Sequence, residues 1–460
     1  MSLAPTAEGA RAASNLSTLL RLAWPIVVSR STQTIVGLTD ALMIAHLGKE
    51  ALAATTTGAM NAMALFILPM GTVFIVSSFA AQFFGRGDAT GARRFAFYGL
   101  LVAAVTQGLA FLSPLAIDPA IGLFGFEPEV ERLLKAYLVI RLLSGGAVVG
   151  QEALANYYGG LGNTRLPMIV NLCSMVLNVF GNWVLIDGRL GMPALGVAGA
   201  AWASAIASIV SFLGFFAFFL AEGRRTGRVL PRLRADEWWR TLRFGLPSGL
   251  NWFFEFFGFL FFVNVVVAGL GTTALAAMMG VMQLNSVAFM PAFAIASAGA
   301  IVVGQAIGAK AHDEVPAAVR RTFLLAGTWQ GLVGVAFVAV PAILFAPLAR
   351  GEGSEELLAV GARMLSLSAA WMLFDAAATT LAEALRAAGD TAFTLWARVV
   401  LAWGVFVPGG WISVRLLGGD ELVALFWLTA YLALLAAVLW WRFRRGTWRL
   451  FDLVGEHPTR

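Results

Sequence analysis

The sequence predicts an all-α integral membrane protein, with twelve transmembrane helices in two six-helix bundles related by a pseudo-twofold axis along the membrane normal. Three observations predict it. Of 460 residues, 59% are hydrophobic and only 13% charged, with a mean hydropathy of +0.80, too few charges to cover a water-soluble protein of this size. Twelve apolar runs approach or exceed the roughly 20 residues that cross a bilayer as a helix. The second six of these runs repeat the first six in order.

The runs cover residues 22–46, 57–81, 95–117, 133–158, 166–186, 194–220, 241–268, 274–305, 322–346, 358–383, 393–415 and 421–441. The first contains Arg30, Gln33 and Asp40. The second, third, fifth, sixth, eighth and ninth carry no Asp, Glu, Lys or Arg. The fifth bears a polar stripe of Asn171, Ser174, Asn178 and Asn182, and the seventh is crowded with aromatics in NWFFEFFGFLFF (251–262). The tenth holds Asp375 in WMLFDAAATT (371–380). Inside lipid every backbone polar group needs an internal partner, so runs of this length are helices, not strands of a barrel. The polar start, MSLAPTAEGARAASNLSTLL, shows no apolar core with a cleavage site, and no signal peptide is expected.

Basic residues set the expected orientation. Of the 32 Lys and Arg, 23 are counted with the even-numbered breaks, the span ends beside them and the two tails, among them Arg11, Arg86, Arg93, Arg94, Arg224, Arg225, Arg228, Arg320, Arg321, Arg398, Arg442 and Arg460; six are counted with the odd-numbered breaks and their adjoining span ends, Arg350 among them, and Arg30, Arg141 and Arg363 lie well inside spans. An excess near four to one places both termini in the cytoplasm. Topology therefore accounts for the isoelectric point near 10, and a nucleic-acid partner is not expected. The single Cys173 excludes a disulfide framework or a cysteine metal cluster.

At an offset of 222 to 227 residues the chain repeats. Pro25 pairs with Pro247, Leu47-Gly48 with Leu270-Gly271, Leu52-Ala53-Ala54 with Leu275-Ala276-Ala277, and Pro69 with Pro291. Gln82 and Gly85 pair with Gln305 and Gly308, Arg93-Arg94 with Arg320-Arg321, and Gly162-x-Thr164 with Gly389-x-Thr391. Six helices per half is an even number, so both halves share one membrane orientation. Two such bundles with a cleft between them form a transporter architecture. The expected division is an amino-terminal bundle at 1–221, a basic cytoplasmic linker at 222–240, a carboxyl-terminal bundle at 241–442 and a cytoplasmic tail at 443–460.

Ionisable groups in hydrocarbon cost about 3 kcal/mol each on insertion scales and mark function or a satisfied internal pair. Asp40, Glu255 and Asp375 are such groups. Gln33 and Asp40 share a helical face, as do Ser248, Asn251 and Glu255, and Ser368, Trp371, Asp375 and Thr379. The structural alternative for each acid is an ion pair with Arg30, Arg141 or Arg363. Glu152 and Glu383 lie near Asn156 and Arg386, which points to local pairing. Solute contacts are expected from Gln33, Asn61, Asn182, Asn251, Trp252, Phe256, Met282 and Gln283, because soft, re-packable aromatic and methionine surfaces suit varied amphipathic ligands and ring faces attract organic cations.

The ordered set of Leu22 and Pro25 entering the first span, Asp40 in GLTDALMIAHLG, the Leu-Ala-Ala at 52–54, Gln82-x-x-Gly85-x-Gly87, Gln305-x-x-Gly308 and the segments at 159–188 and 196–208 resembles the multidrug and toxic compound extrusion (MATE) transporters, in particular their NorM-like branch. The likeness runs from about residue 20 to 440. It implies a Na⁺- or proton-coupled antiporter that exports amphipathic, often cationic, organic compounds by alternating access. It also implies a monomer in the bacterial inner membrane, with no cofactor and no enzymatic step. The family's carboxyl-terminal cation-binding acids match Glu255 and Asp375, with Trp371 where an aromatic is common, and Na⁺, if it is the coupling ion, would bind at those two acids. Asp40 matches the acid of the first helix, with Asn178 beside it. Relatives with an amino-terminal cation site carry a second Asp where this chain has Asn182. A lipid-linked oligosaccharide flippase of the same superfamily is the alternative and would need a strongly cationic cavity. An embedded enzyme would need a metal or nucleophile set, but His46, His312 and His457 all lie at loops or the tail.

Overall fold

A computed structural model describes residues 15–122, 125–227, 232–349, 354–451 and 453–455. The polar start up to residue 14, the linker residues 228–231 and the tail residues 452 and 456–460 lie outside the described residues, and with them Arg11, Arg228, Arg350 and Arg460.

Each expected span is met by helix: α1 (Leu16–Ile44), α2 (Lys49–Val73, continued by Ile75–Gly85), α3 (Ala89–Leu112), α4 (Pro128–Leu142 and Gly145–Gly160), α5 (Arg165–Leu185), α6 (Val197–Arg225), α7 (Ala235–Phe261), α8 (Thr272–Gly308), α9 (Val315–Ala339), α10 (Ser354–Ala388), α11 (Thr391–Leu401, continued to Leu416) and α12 (Glu421–Arg444). Among the described residues, ten helices are long and apolar enough to cross a membrane, and α4, whose two halves bend by 47°, makes an eleventh. α1 is not among them, although its 29 residues are long enough; Arg21, Arg30, Gln33 and Asp40 interrupt its apolar run. Large apolar side chains such as Leu109, Leu332 and Phe426 are exposed, as a surface solvated by acyl chains requires.

The repeat has a conformational basis. Gly48 and Gly271 adopt φ values of 113° and 104°, and Gly162 and Gly389 take 83° and 102°, a region open to glycine and costly for a residue with a Cβ. Short helices at Pro114–Gly122 and Pro341–Phe345 follow α3 and α9 in matching positions. The molecule falls into two compact units, Val28–Gly249 and Met1–Val27 with Leu250–Arg460. In each repeat the last residue before the chain changes unit lies two residues after a helix-interior proline, Pro25 in α1 and Pro247 in α7. Such a proline removes one backbone hydrogen bond and weakens the helix at that point.

Among the described residues, α7 and α11 carry π turns. α7 runs into a π turn at Phe262–Val266, and α11 holds π turns at Ala402–Phe406 and Ile412–Leu416 around Pro408. Pro408 lacks an N–H to continue the α ladder, so the π turn before it is a way to absorb the missing bond.

Capping and ion pairs secure the helix ends. Asp88 accepts from the Gly91 amide at 2.8 Å at the start of α3. Asp88→Ala should cost about 1 kcal/mol and lower the thermal unfolding midpoint of the detergent-solubilised protein; an unchanged midpoint would mean that the cap contributes nothing. In the Val28–Gly249 unit, Glu237 at the start of α7 meets Arg94 at 3.0 Å and accepts from the Tyr98 hydroxyl at 2.9 Å. In the other unit, Arg442 at the end of α12 grips Asp390 before α11 through two bonds of 2.7 and 3.2 Å.

Small residues let α5 and α6 approach closely, as is common between helices in membranes. A Cβ on Gly181 would lie 3.0 Å from that of Ala203, and one on Gly199 would lie 2.4 Å from the Leu185 carbonyl oxygen. This contact brings the polar stripe of α5 against Ser204 on α6.

Candidate functional site

In the Val28–Gly249 unit, Asp40 is buried in the last third of α1. Asn182 of α5 donates its amide to Asp40 Oδ1, and the Ser204 hydroxyl reaches Asp40 Oδ2 at 3.5 Å. Asn178 donates to Ser204 at 2.9 Å and accepts from Asn182 at 3.4 Å, one residue removed from the acid. Arg141 of α4 is the charged neighbour of Asp40; its guanidinium bonds Tyr137 and Ser144. Asn182 was expected to touch a solute; it is 0% exposed, with its amide on Asp40 and its Oδ1 unpartnered. Asp40 opens onto a cavity of about 280 Å³ whose lining includes Gln33, Arg141, Gln151, Asn171, Ser174 and Ser204.

In the Leu250–Arg460 part, Glu255 of α7 is ion-paired with Arg398 of α11. The Arg398 side chain is 9% exposed and that of Glu255 37%. Asp375 of α10 accepts from the Gln330 amide of α9 at 2.8 Å, and Glu255 and Arg398 are its charged neighbours. Tyr431 of α12 lies beside Arg398 and in the field of both acids. Gln330 Oε1 is buried without a partner. Trp371 is buried one turn before Asp375, and Trp329 ties α9 to α8 by donating to the Ala288 carbonyl at 3.1 Å. Five helices thus deliver two carboxylates, one guanidinium, one amide and one phenol to a single cluster.

Two of the three expected arginine partners lie elsewhere, Arg141 being the one beside Asp40. Arg30 pairs with Glu152 at 2.8 Å, Arg363 pairs with Glu421, and neither contacts Asp40, Glu255 or Asp375. Glu383 pairs with Arg386, local as expected, whereas Glu152, although it accepts from Asn156 at 3.1 Å, has its ion pair with the distant Arg30. Arg398, counted with the cytoplasmic breaks, is buried inside α11 instead. A lone charge in the apolar stretch TLWARVVLAW was the available signal. Gln330, a lone amide in a charge-free span, and Tyr431, one of only five tyrosines, gave weaker ones. Ser204 was hidden among the small residues of α6.

The expected solute contacts are dispersed within their units. Gln33 lines the Asp40 cavity with Met63, whereas Asn61 is half-buried on α2 and outside that lining. On α7, Asn251 has a buried, unpartnered Oδ1. Trp252 meets Phe293 edge-on at 5.4 Å, and Phe256 meets Phe257 at 5.6 Å. On α8, Met282 packs on the hydrophobic core and Gln283 is exposed. No group of three or more His, Cys, Asp or Glu that would hold a metal ion gathers among the described residues.

Comparison with known proteins adds a family profile described as MatE, which matches residues 25–184 and 247–412. A relative from Pseudomonas putida named "Probable multidrug resistance protein NorM" is 29% identical over 482 residues, covering 100% of this chain and 98% of its own length. "Multidrug resistance protein PmpM" of Pseudomonas aeruginosa is 28% identical over 421 residues, covering 88% and 86%. Among solved structures, one titled "Crystal structure of MATE in complex with MaL6" superposes with a TM-score of 0.85 at 21% identity, covering 94% of this chain and 96% of that one. An "Outward-facing conformation of a multidrug resistance MATE family transporter of the MOP superfamily" gives 0.83 at 22%, with the same coverage.

Proposed function

The chain belongs to the MatE family, and from that premise we propose that it is an antiporter exporting amphipathic, often cationic, organic compounds by alternating access, driven by inward movement of Na⁺ or H⁺. The observation that carries the reading is the cluster of Glu255, Asp375, Arg398, Gln330 and Tyr431. It sets two carboxylates beside one buried, fixed cation among apolar helices, an arrangement too costly to keep for packing alone. Asp40, held by an amide and a hydroxyl, is a second group able to take up a proton. The aromatic face of α7 and the cavity beside Asp40 are the surfaces offered to solute. The relatives named as multidrug resistance proteins support organic drugs as the substrate class.

The flippase reading asks for a cationic cavity able to hold a pyrophosphate. At membrane depth Arg30, Arg363 and Arg398 are each paired with a glutamate, and Arg141 is held by Tyr137 and Ser144, which favours the antiporter. The bacterial inner membrane, with both termini cytoplasmic, a monomeric state and no resident cofactor, completes the proposal.

Cells expressing the wild-type chain should extrude ethidium faster than cells without it, with a rate that responds when external Na⁺ and pH are varied independently. Failure to extrude any organic cation would refute the proposal in favour of the flippase.

A further inference from the structure

We infer that Arg398 is the resident cation of the carboxyl-terminal acid cluster, and that the ion exchanged there is consequently a single proton carried on Asp375 and not Na⁺. The inference rests on the antiport reading above and names its ion.

A guanidinium keeps its charge in proteins. Two ionised carboxylates and Arg398 therefore leave one net negative charge, which one monovalent cation neutralises. A hard cation needs several oxygen ligands around it. In this cluster Arg398 already occupies Glu255, and one oxygen of Asp375 accepts from Gln330. A Na⁺ ion placed between the acids would also lie against a like charge that cannot leave.

A proton asks for less. It needs one carboxylate oxygen, and the O–H so formed needs one acceptor. Gln330 supplies it: its Nε2 serves the ionised acid at 2.8 Å, while its Oε1 is buried with no partner, and rotating the amide by half a turn presents that oxygen to a protonated Asp375. Both states of the acid thus find a partner on one side chain. The groups facing Asp375 are Glu255 from α7, Gln330 from α9, Arg398 from α11 and Tyr431 from α12. In the exchange one O–H bond forms at Asp375 with a proton taken from water on one side and breaks to give it to water on the other, with no other bond changed.

The test uses the purified full chain in proteoliposomes with ethidium as solute. A pH gradient without Na⁺ should drive ethidium accumulation, up to roughly tenfold per pH unit for one proton per ethidium. A Na⁺ gradient at equal pH should drive none. Arg398→Gln should acquire Na⁺-driven accumulation, whereas Arg398→Lys, which keeps the charge, should stay indifferent to Na⁺; a merely structural role would not separate the two by ion. Accumulation by the wild type under a Na⁺ gradient at equal pH would overturn the inference and leave the antiport reading standing. No accumulation under either gradient would overturn the antiport reading itself. Because the wild-type comparison decides alone, the inference stays testable even if Arg398→Gln does not fold.

Discussion

Asp375→Asn abolishes energised efflux: in cells or proteoliposomes under a pH gradient of one unit, the ethidium ratio is expected to fall from roughly tenfold to unity. The substitution is nearly isosteric and an asparagine can still bond Gln330, so the helix packing around α10 should hold. What disappears is the site's capacity to bind and release a cation. Glu255→Gln should fail as well, for a different reason. It leaves Arg398 as a buried cation without its partner, which typically costs several kcal/mol, and draws the guanidinium onto Asp375. Undiminished ethidium pumping by Asp375→Asn would remove this acid from the coupling machinery.

Gly199→Leu should prevent accumulation of folded protein. A Cβ at this position would sit 2.4 Å from the carbonyl oxygen of Leu185 and 2.7 Å from its carbon. Both are backbone atoms of α5, so no rotamer change relieves the clash and the two helices must separate. Overpacking of this kind costs about 3 kcal/mol or more, and separation would also pull Ser204 away from Asp40 and Asn178. Gly214 on the same helix has nothing within 4 Å of its Cβ position. Gly214→Ala should therefore be neutral or stabilising by up to about 1 kcal/mol, since alanine is the better helix former. Size-exclusion profiles and thermal unfolding of the two variants provide the comparison, and equal behaviour would refute the close α5–α6 packing.

The membrane class, the twelve helical segments and the internal repeat are legible along the chain alone. They are so because hydropathy over about 20 residues and the φ demands of Gly48, Gly162, Gly271 and Gly389 are properties of short stretches of chain. Asp40, Glu255 and Asp375 stand out as well, since an acid inside an apolar run is conspicuous wherever its partners are. Pairings within one or two turns, Glu152 with Asn156 and Glu383 with Arg386, were legible for the same reason.

Which groups face those acids depends on how the helices pack. Asp40 meets Asn182 across 142 residues and Ser204 across 164, and Asp375 meets Gln330 across 45. Arg398, which sequence position had assigned to a cytoplasmic break, turned out to hold Glu255. Such choices depend on how far each helix is rotated about its own axis and slid along its neighbour, and side-chain packing fixes both. A pattern read along one strand of chain carries no term for either.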